Sequence, residues 1–340
     1  MVFVVCAALT NVYGQKTKVS SPENSSSPKD KASIKGTAKT VKANGITIAY
    51  ESFGSKKKET VLLIMGTGEQ LTAYPVELCE ELVRRGYRVI RYDNRDVGLS
   101  TKFEAAGKPD YAAIDRALKA GQTPPLPYTV NDMAKDAVGL LDALGIKKAH
   151  IVGVSMGGAI AQLVAADYPE HTLSLTSIAA SSGNPDLPKP KPEVFGALLA
   201  PVPAAGDWEA IAAYRVKIGQ AIGSPGYPTD EKTLREKALQ AAKRSWYPEG
   251  AERQAAAAFV ADLGGLNDRR AKLKTIKAPT VVVHGSDDPL VPVEAGRDVA
   301  ANIPGSELRI IPGLGHDFPV ALVGKFADAI AAAAARSRKP

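Results

Sequence analysis

The sequence predicts an α/β fold with a mostly parallel central sheet and helices on both faces. Three observations predict it. Apolar runs of strand length alternate with stretches of helical periodicity between about residues 60 and 180, and again between 280 and 335. That alternation marks parallel strands joined by crossover helices. Some runs, such as Val61-Leu62-Leu63-Ile64, are apolar at every position, as strands buried on both faces must be. Finally, Gly153-Val154-Ser155-Met156-Gly157 places a serine between one apolar run and the helical stretch after it.

The elements read in order as follows. Thr40 to Phe53 alternates around Asn44-Gly45, the signature of a hairpin. Val61 to Ile64 is a buried strand. Pro75 to Arg85 has helical spacing and stops at Gly86. Tyr87 to Tyr92 is strand again. Thr129 with Asp132 forms a capping box, opening a helix to Leu144 that Gly145 closes. His150 to Val154 is strand, Gly157 to Tyr168 helix and Leu173 to Ala179 strand. From about Ser182 to Leu273 the alternation stops. This stretch is helical and Ala-rich, with Pro-rich breaks at 185–192 and 201–203. Alternation then resumes with Thr280 to His284, Val293 to Asn302, Leu308 to Ile311 and a last helix from Phe318 to Ala335. The expected organisation is a sheet domain of residues 38–182 and 273–336, with residues 183–272 as a helical cap inserted after strand 6. Such a cap would lie over the carboxyl edge of the sheet, where open α/β sheets bind ligands.

Composition narrows the class. Hydrophobic residues make up 45% and charged residues 23%, ordinary for a globular protein and unlike collagen, coiled coils or disordered chains. The two cysteines, Cys6 and Cys79, exclude a disulfide framework and a Cys-rich zinc site. Cys79 lies on a helical pattern and reads as a small buried hydrophobe. After residue 15 no stretch approaches the ~18 apolar residues of a membrane span. Much of the net charge of +7 sits in residues 16–42, where seven lysines face only Glu23 and Asp30. No aromatic residues interleave with these lysines, so no nucleic-acid partner is expected. Met1 to Leu9 is apolar and turns polar at Thr10-Asn11. Residues 1–15 read as a signal peptide, although no Lys or Arg precedes the apolar run, and the expected location is periplasmic or extracellular. If the segment is only an apolar start, the chain is cytoplasmic. Residues 16–37, rich in Ser, Lys and Pro, are expected to be a disordered linker.

The chemistry centres on Ser155. A serine on a sharp strand-to-helix turn is exposed at the sheet edge, and glycines on either side let strand and helix pack closely. The helix amino terminus beneath it favours developing negative charge. Serine needs a base, and the chain offers four histidines. His150 begins the serine's strand, at the far end. His171 follows a helix beside Glu170 and is expected to be solvated. His284 ends a strand and orients the loop after it. His316, in Gly313-Leu314-Gly315-His316-Asp317, follows a strand on a glycine-rich loop that can carry an imidazole over the sheet. The base needs an acid to hold its tautomer. Asp287 and Asp288, in His284-Gly285-Ser286-Asp287-Asp288-Pro289, both follow a strand and both fit the order Ser, Asp, His.

Those motifs, with Ile64-Met65-Gly66-Thr67-Gly68 and Arg91-Tyr92-Asp93-Asn94-Arg95-Asp96-Val97-Gly98-Leu99-Ser100, make residues 38–336 resemble the α/β-hydrolase fold enzymes. The nearer resemblance is to capped serine esterases of the aclacinomycin methylesterase kind. It implies Asp288 as the acid, with Pro292 closing the matched pattern. It also implies backbone N–H groups of Thr67 and Met156 as an oxyanion hole. Met65 stands where the family has histidine. Asp93 to Ser100 reads as loop architecture. The implied activity is hydrolysis of a carboxylic ester through an acyl-enzyme, with a small-molecule ester as partner and neither metal nor organic cofactor. Two other readings use the same triad: a cofactor-free perhydrolase or haloperoxidase, and a C–C bond hydrolase. A non-catalytic small-molecule-binding protein is a further alternative. Among cap aromatics, Trp208 and Trp246 are the candidate substrate-binding residues.

Overall fold

The computed structural model describes residues 36–260 and 266–338. The expected signal peptide and most of the expected linker lie outside the described residues. Eight strands among them form one sheet in the order β1-β2-β4-β3-β5-β6-β7-β8. These are β1 (Thr37–Ala43), β2 (Ile46–Phe53), β3 (Thr60–Ile64), β4 (Arg88–Tyr92), β5 (Ala149–Val154), β6 (Thr172–Ile178), β7 (Thr280–Gly285) and β8 (Glu307–Ile311). The first hairpin turns at Asn44 and Gly45, both at positive φ (46° and 77°), as a two-residue hairpin turn requires. β2 runs antiparallel to β4, and from β4 to β8 every pairing is parallel.

Alternation along each strand separates two cores. Leu62, between Ile90 and Ile151 in register, points to one face. There it packs with α3 (Val130–Ala143) and α4 (Met156–Asp167), through Met133, Leu140 and Ile160. Val61 and Leu63 point to the other face, toward α1 (Val76–Arg84) and a C-terminal helix (Val323–Arg336), through Leu78, Leu82 and Phe326. Each fully buried Leu or Ile stabilises the fold by about 1.5–3 kcal/mol. The capping box at Thr129 and Asp132 is formed in both directions. Cys79 is fully buried in the second core, and burial pushes its thiol up to about 12. It is an inert packing residue.

Three boundaries differ from expectation. The sequence does not announce helix α2 (Tyr111–Lys119), whose apolar side is short, Ala113, Ile114, Ala117 and Leu118, with only Ile114 buried. Asp110 caps it by accepting the Ala113 N–H. The sheet begins at Thr37, so that residue belongs to β1 rather than to a linker. Thr37, Ala38 and Lys39 pair with Ser52, Glu51 and Tyr50 along an edge where main-chain bonding needs no apolar side chain. The last helix starts at Val323, after a 3-10 turn at Val320–Leu322.

The insert after β6 is helical as expected. It holds α5 (Pro192–Leu198), α6 (Trp208–Ile222), α7 (Glu231–Arg244) and α8 (Pro248–Ala255), which runs on as a π-helical turn, Ala256–Val260. Asp207 and Asp230 cap α6 and α7. A short helix, α9 (Arg270–Leu273), leads back to β7. α10 (Val293–Asn302) joins β7 to β8, and α11 is the C-terminal helix Val323–Arg336. No helix of the described residues is long and apolar enough to cross a membrane.

Candidate active site

Ser155 sits between β5 and α4 with φ 55° and ψ −123°. That is a strained conformation for a residue with a side chain. The turn is possible because its neighbours lack side chains. A Cβ on Gly153 would lie 1.9 Å from the Gly157 carbonyl oxygen, and one on Gly157 would lie 2.1 Å from that of Ile64. The Ser155 N–H donates to Ile178 O (2.9 Å), tying the turn to the end of β6.

Two further loops meet this turn. His316 Nε2 lies 3.0 Å from Ser155 Oγ, and His316 Nδ1 lies 2.7 Å from Asp288 Oδ2. Asp288 is 4% exposed. Its Oδ1 accepts the backbone N–H groups of Leu290 (3.0 Å) and Val291 (2.8 Å), which fixes the carboxylate plane. Burial alone would raise this carboxyl. The charge of His316 and hydrogen bonds from His284 and His316 outweigh it and hold the group well below the usual carboxylate range. For His316, burial favours the neutral ring, but the Asp288 charge and hydrogen bond win and raise its pKa above 6.5. Asp287 is exposed, and its Oδ2 accepts the Gly313 N–H instead.

Of the other three histidines, two lie away from the serine and one stands behind the acid. His150 is buried, with Nδ1 2.9 Å from Ser174 Oγ, and burial lowers its pKa. His171, expected to be solvated, is held between Asp142 (3.0 Å) and Glu170 (3.2 Å). His284 Nε2 donates to Val291 O (2.8 Å) and so braces the Asp288 loop from inside.

The loop after β3 closes the site. A Cβ built on Gly66 would sit 3.1 Å from Ser155 Cβ, so this turn lies directly against the serine. Thr67 and Met156 line the same cavity as Ser155, and neither amide N–H donates a hydrogen bond among the described residues. The cavity has about 730 Å³ of space, counting what opens to solvent. Small side chains, Ala159, Ala180 and Ala295, form part of its wall, and the insert contributes Leu187, Pro188 and Ala258. Trp208 and Trp246 are not among its lining residues. Trp208 begins α6 and is 39% exposed, while Trp246 packs edge-on against Tyr214 within the insert (6.4 Å). The two largest apolar side chains of the insert thus serve its surface and its own packing.

Sequence reasoning missed the residues that seat the insert. Arg253 is 1% exposed and donates to Asp96 Oδ2 (2.8 Å) and Oδ1 (2.9 Å). Arg244 donates to Asp93 Oδ2 (2.7 Å). Both acids belong to the Asp93–Ser100 loop. Gln254 bridges Gly68 and Arg95. On the other side, Ile222 O accepts the His316 N–H (2.7 Å), and Ser224 Oγ accepts that of Gly315 (2.9 Å) and donates to Asp317. The signal was an Arg-Gln pair and Arg244 in an Ala-rich stretch, but the partners that tie them to the sheet domain lie more than 140 residues away in sequence.

A family model described as alpha/beta hydrolase fold matches residues 59–320. The chain belongs to the α/β-hydrolase fold family. Among curated relatives of this hydrolase, the rhodomycin D methylesterase DauP of Streptomyces sp. (strain C5) is 30% identical over 304 residues. The match covers 84% of this chain and 94% of that protein. The rhodomycin D methylesterase DnrP of Streptomyces peucetius is also 30% identical, with the same coverage. Among solved structures, a meta-cleavage product hydrolase from Pseudomonas fluorescens IP01 superposes with a TM-score of 0.67 at 20% identity, covering 90% of this chain and 99% of that one. That last likeness speaks for the hydrolase fold alone.

Proposed function

We propose that this carboxylic-ester hydrolase works as a serine esterase with an acyl-enzyme intermediate. Ser155 Oγ attacks the ester carbonyl while His316 Nε2 takes its proton. Asp288 holds the ring's Nδ1–H and stabilises the imidazolium. The carbonyl's electron pair moves onto oxygen, where the Thr67 and Met156 N–H groups receive it. The pair returns as the C–O bond breaks, and His316 protonates the departing alcohol. Water, deprotonated by His316, then attacks the acyl-enzyme; the bond to Ser155 Oγ breaks, His316 returns the proton to that oxygen, and the acid leaves. Side chains and backbone amides carry every step of this scheme.

The observation that carries the reading is the unbroken line from Asp288 Oδ2 through His316 to Ser155 Oγ, at 2.7 and 3.0 Å. The methylesterase relatives support an ester substrate over the perhydrolase and C–C hydrolase alternatives. The largely apolar cavity supports an ester with an apolar acyl or alcohol part, with residues 183–272 acting as a cap that excludes water. Residues 1–15 are proposed as an export signal, which the N-terminal mass of protein from its native cell tests.

The test of the mechanism is hydrolysis of an activated short-chain ester by wild type, Ser155→Ala and His316→Ala. The expected loss in each variant is at least about 10⁴-fold in kcat. Wild-type-like turnover by either variant, with the fold intact by circular dichroism, would end the proposal.

A further inference from the structure

We propose that Gln254, on the insert, is a positioning residue for the oxyanion loop: its amide ties Gly68 to Arg95 and fixes the turn that carries the Thr67 N–H beside Ser155. The proposal rests on the serine-esterase reading above.

Gln254 lies on α8 and is fully buried. Its Oε1 accepts the Gly68 N–H at 2.7 Å, and its Nε2 donates to Arg95 O at 2.6 Å. The two partners fix the amide's orientation, since a flipped side chain would set donor against donor and oxygen against oxygen. One side chain therefore joins the loop after β3 to the loop after β4. The helix that delivers it is firmly seated. Arg253, the preceding residue, grips both oxygens of Asp96. Gly250 packs so closely that a Cβ there would lie 2.0 Å from Asp96 O.

The turn needs such a hold. Thr67 stands between Gly66 and Gly68, and Gly68 has φ +70°. Peptide planes flanked by glycines rotate easily. The turn's own bond, Glu69 N–H to Gly66 O, is long at 3.3 Å. On the sheet side, Asn94 Nδ2 donates to Met65 O at 2.9 Å. Gln254 supplies the matching hold on the far side, and Ala251 of α8 stands 2.9 Å from where a Gly68 Cβ would be. An oxyanion donor acts only if it is already aimed when charge develops. The insert would thereby set a term in the chemical step as well as the shape of the cavity.

The experiment compares wild type, Gln254→Met and Gln254→Glu, with kcat counted per site titrated by a fluorophosphonate. Methionine keeps the side chain's length and removes both hydrogen bonds. Glutamate keeps the acceptor for Gly68 and loses the donor to Arg95. Loss of a whole oxyanion donor costs roughly 10²–10³ in kcat, so a misaimed one is expected to cost about 10- to 100-fold in Gln254→Met. Gln254→Glu is expected to lose a similar factor, because its second oxygen faces the Arg95 carbonyl where the amide donates, and it stands alone as the test if Gln254→Met does not fold. KM is expected to stay within about threefold. A boronic acid, which mimics the tetrahedral state on serine, should bind Gln254→Met more weakly by about the factor lost in kcat, while the carboxylate product binds as to wild type. A purely structural glutamine would lower the yield or the melting temperature and leave kcat per titrated site unchanged. Folded variants with wild-type kcat, or with boronate and product affinity weakened equally, overturn the proposal. Wild type that resists the fluorophosphonate overturns the serine-esterase reading itself, which separates the two failures.

Discussion

Replacing Arg253 with methionine should loosen the insert from the sheet domain. The guanidinium donates to both oxygens of Asp96, to Tyr247 Oη (2.7 Å) and to Gly107 O. Asp96 is fully buried, and without Arg253 it keeps the Phe103 N–H and the Tyr128 hydroxyl, each at 2.7 Å. Burial favours the neutral form of this carboxyl, yet Arg253 and the other donors lower its pKa, so it is charged at neutral pH. Breaking a buried pair from one side strands the remaining charge, at a cost of about 3–5 kcal/mol. For a chain of this size, roughly 1.5 °C of melting temperature goes with each kcal/mol. The expected drop is therefore on the order of 6 °C, read by circular dichroism at pH 7. The sign with pH follows from the lowered carboxyl pKa. The pair's contribution is present above the unfolded value near 3.8 and fades as pH falls through the lower folded value. Asp96→Asn combined with Arg253→Met should recover part of the loss, because no charge is then stranded. A drop under about 2 °C in the single variant, or no recovery in the double one, refutes this account of how the insert is seated.

Other expectations follow from the same geometry. Asp288→Asn should cost kcat on the order of 10³–10⁴-fold while Asp287→Asn stays near wild type, because the exposed Asp287 does not touch His316; steady-state kinetics decides. Protonation of His316 removes the base, and its pKa is raised. kcat/KM for an uncharged ester should therefore climb with pH through a midpoint above 6.5, and a limb centred below 6 would contradict the pairing with Asp288. Ala159→Leu or Ala295→Leu should fill the cavity and penalise bulky acyl esters by tenfold or more relative to acetate esters. Trp208→Ala should leave that ratio unchanged, since Trp208 does not line the cavity. A chain-length series with p-nitrophenyl esters checks both.

The fold was legible because burial wrote itself into local pattern. Val61 to Ile64 had to be apolar throughout, and β3 is buried at every position. The serine turn was legible because Gly153 and Gly157 have no substitute there. Choosing Asp288 over Asp287 took the family resemblance, since local spacing treats two adjacent aspartates alike. Helix α2 is hard to read in the sequence because its apolar stripe is short and only Ile114 of it is buried. The seating of the insert escaped for another reason. Arg253 and Asp96 are 157 residues apart, and neither residue's neighbours encode the pairing. Trp208 and Trp246 sit at the insert's surface and in its own packing, because a large aromatic side chain fits there as readily as in a pocket.

The most direct test of the central claim is to trap the acyl-enzyme. Wild-type protein is mixed with a slowly deacylating activated ester, quenched in acid within the first turnover, and digested for mass spectrometry. The account predicts one acyl group per chain, on the peptide containing Ser155, and none in Ser155→Ala. Turnover without any acyl adduct, or an adduct that persists in Ser155→Ala on another residue, would contradict it.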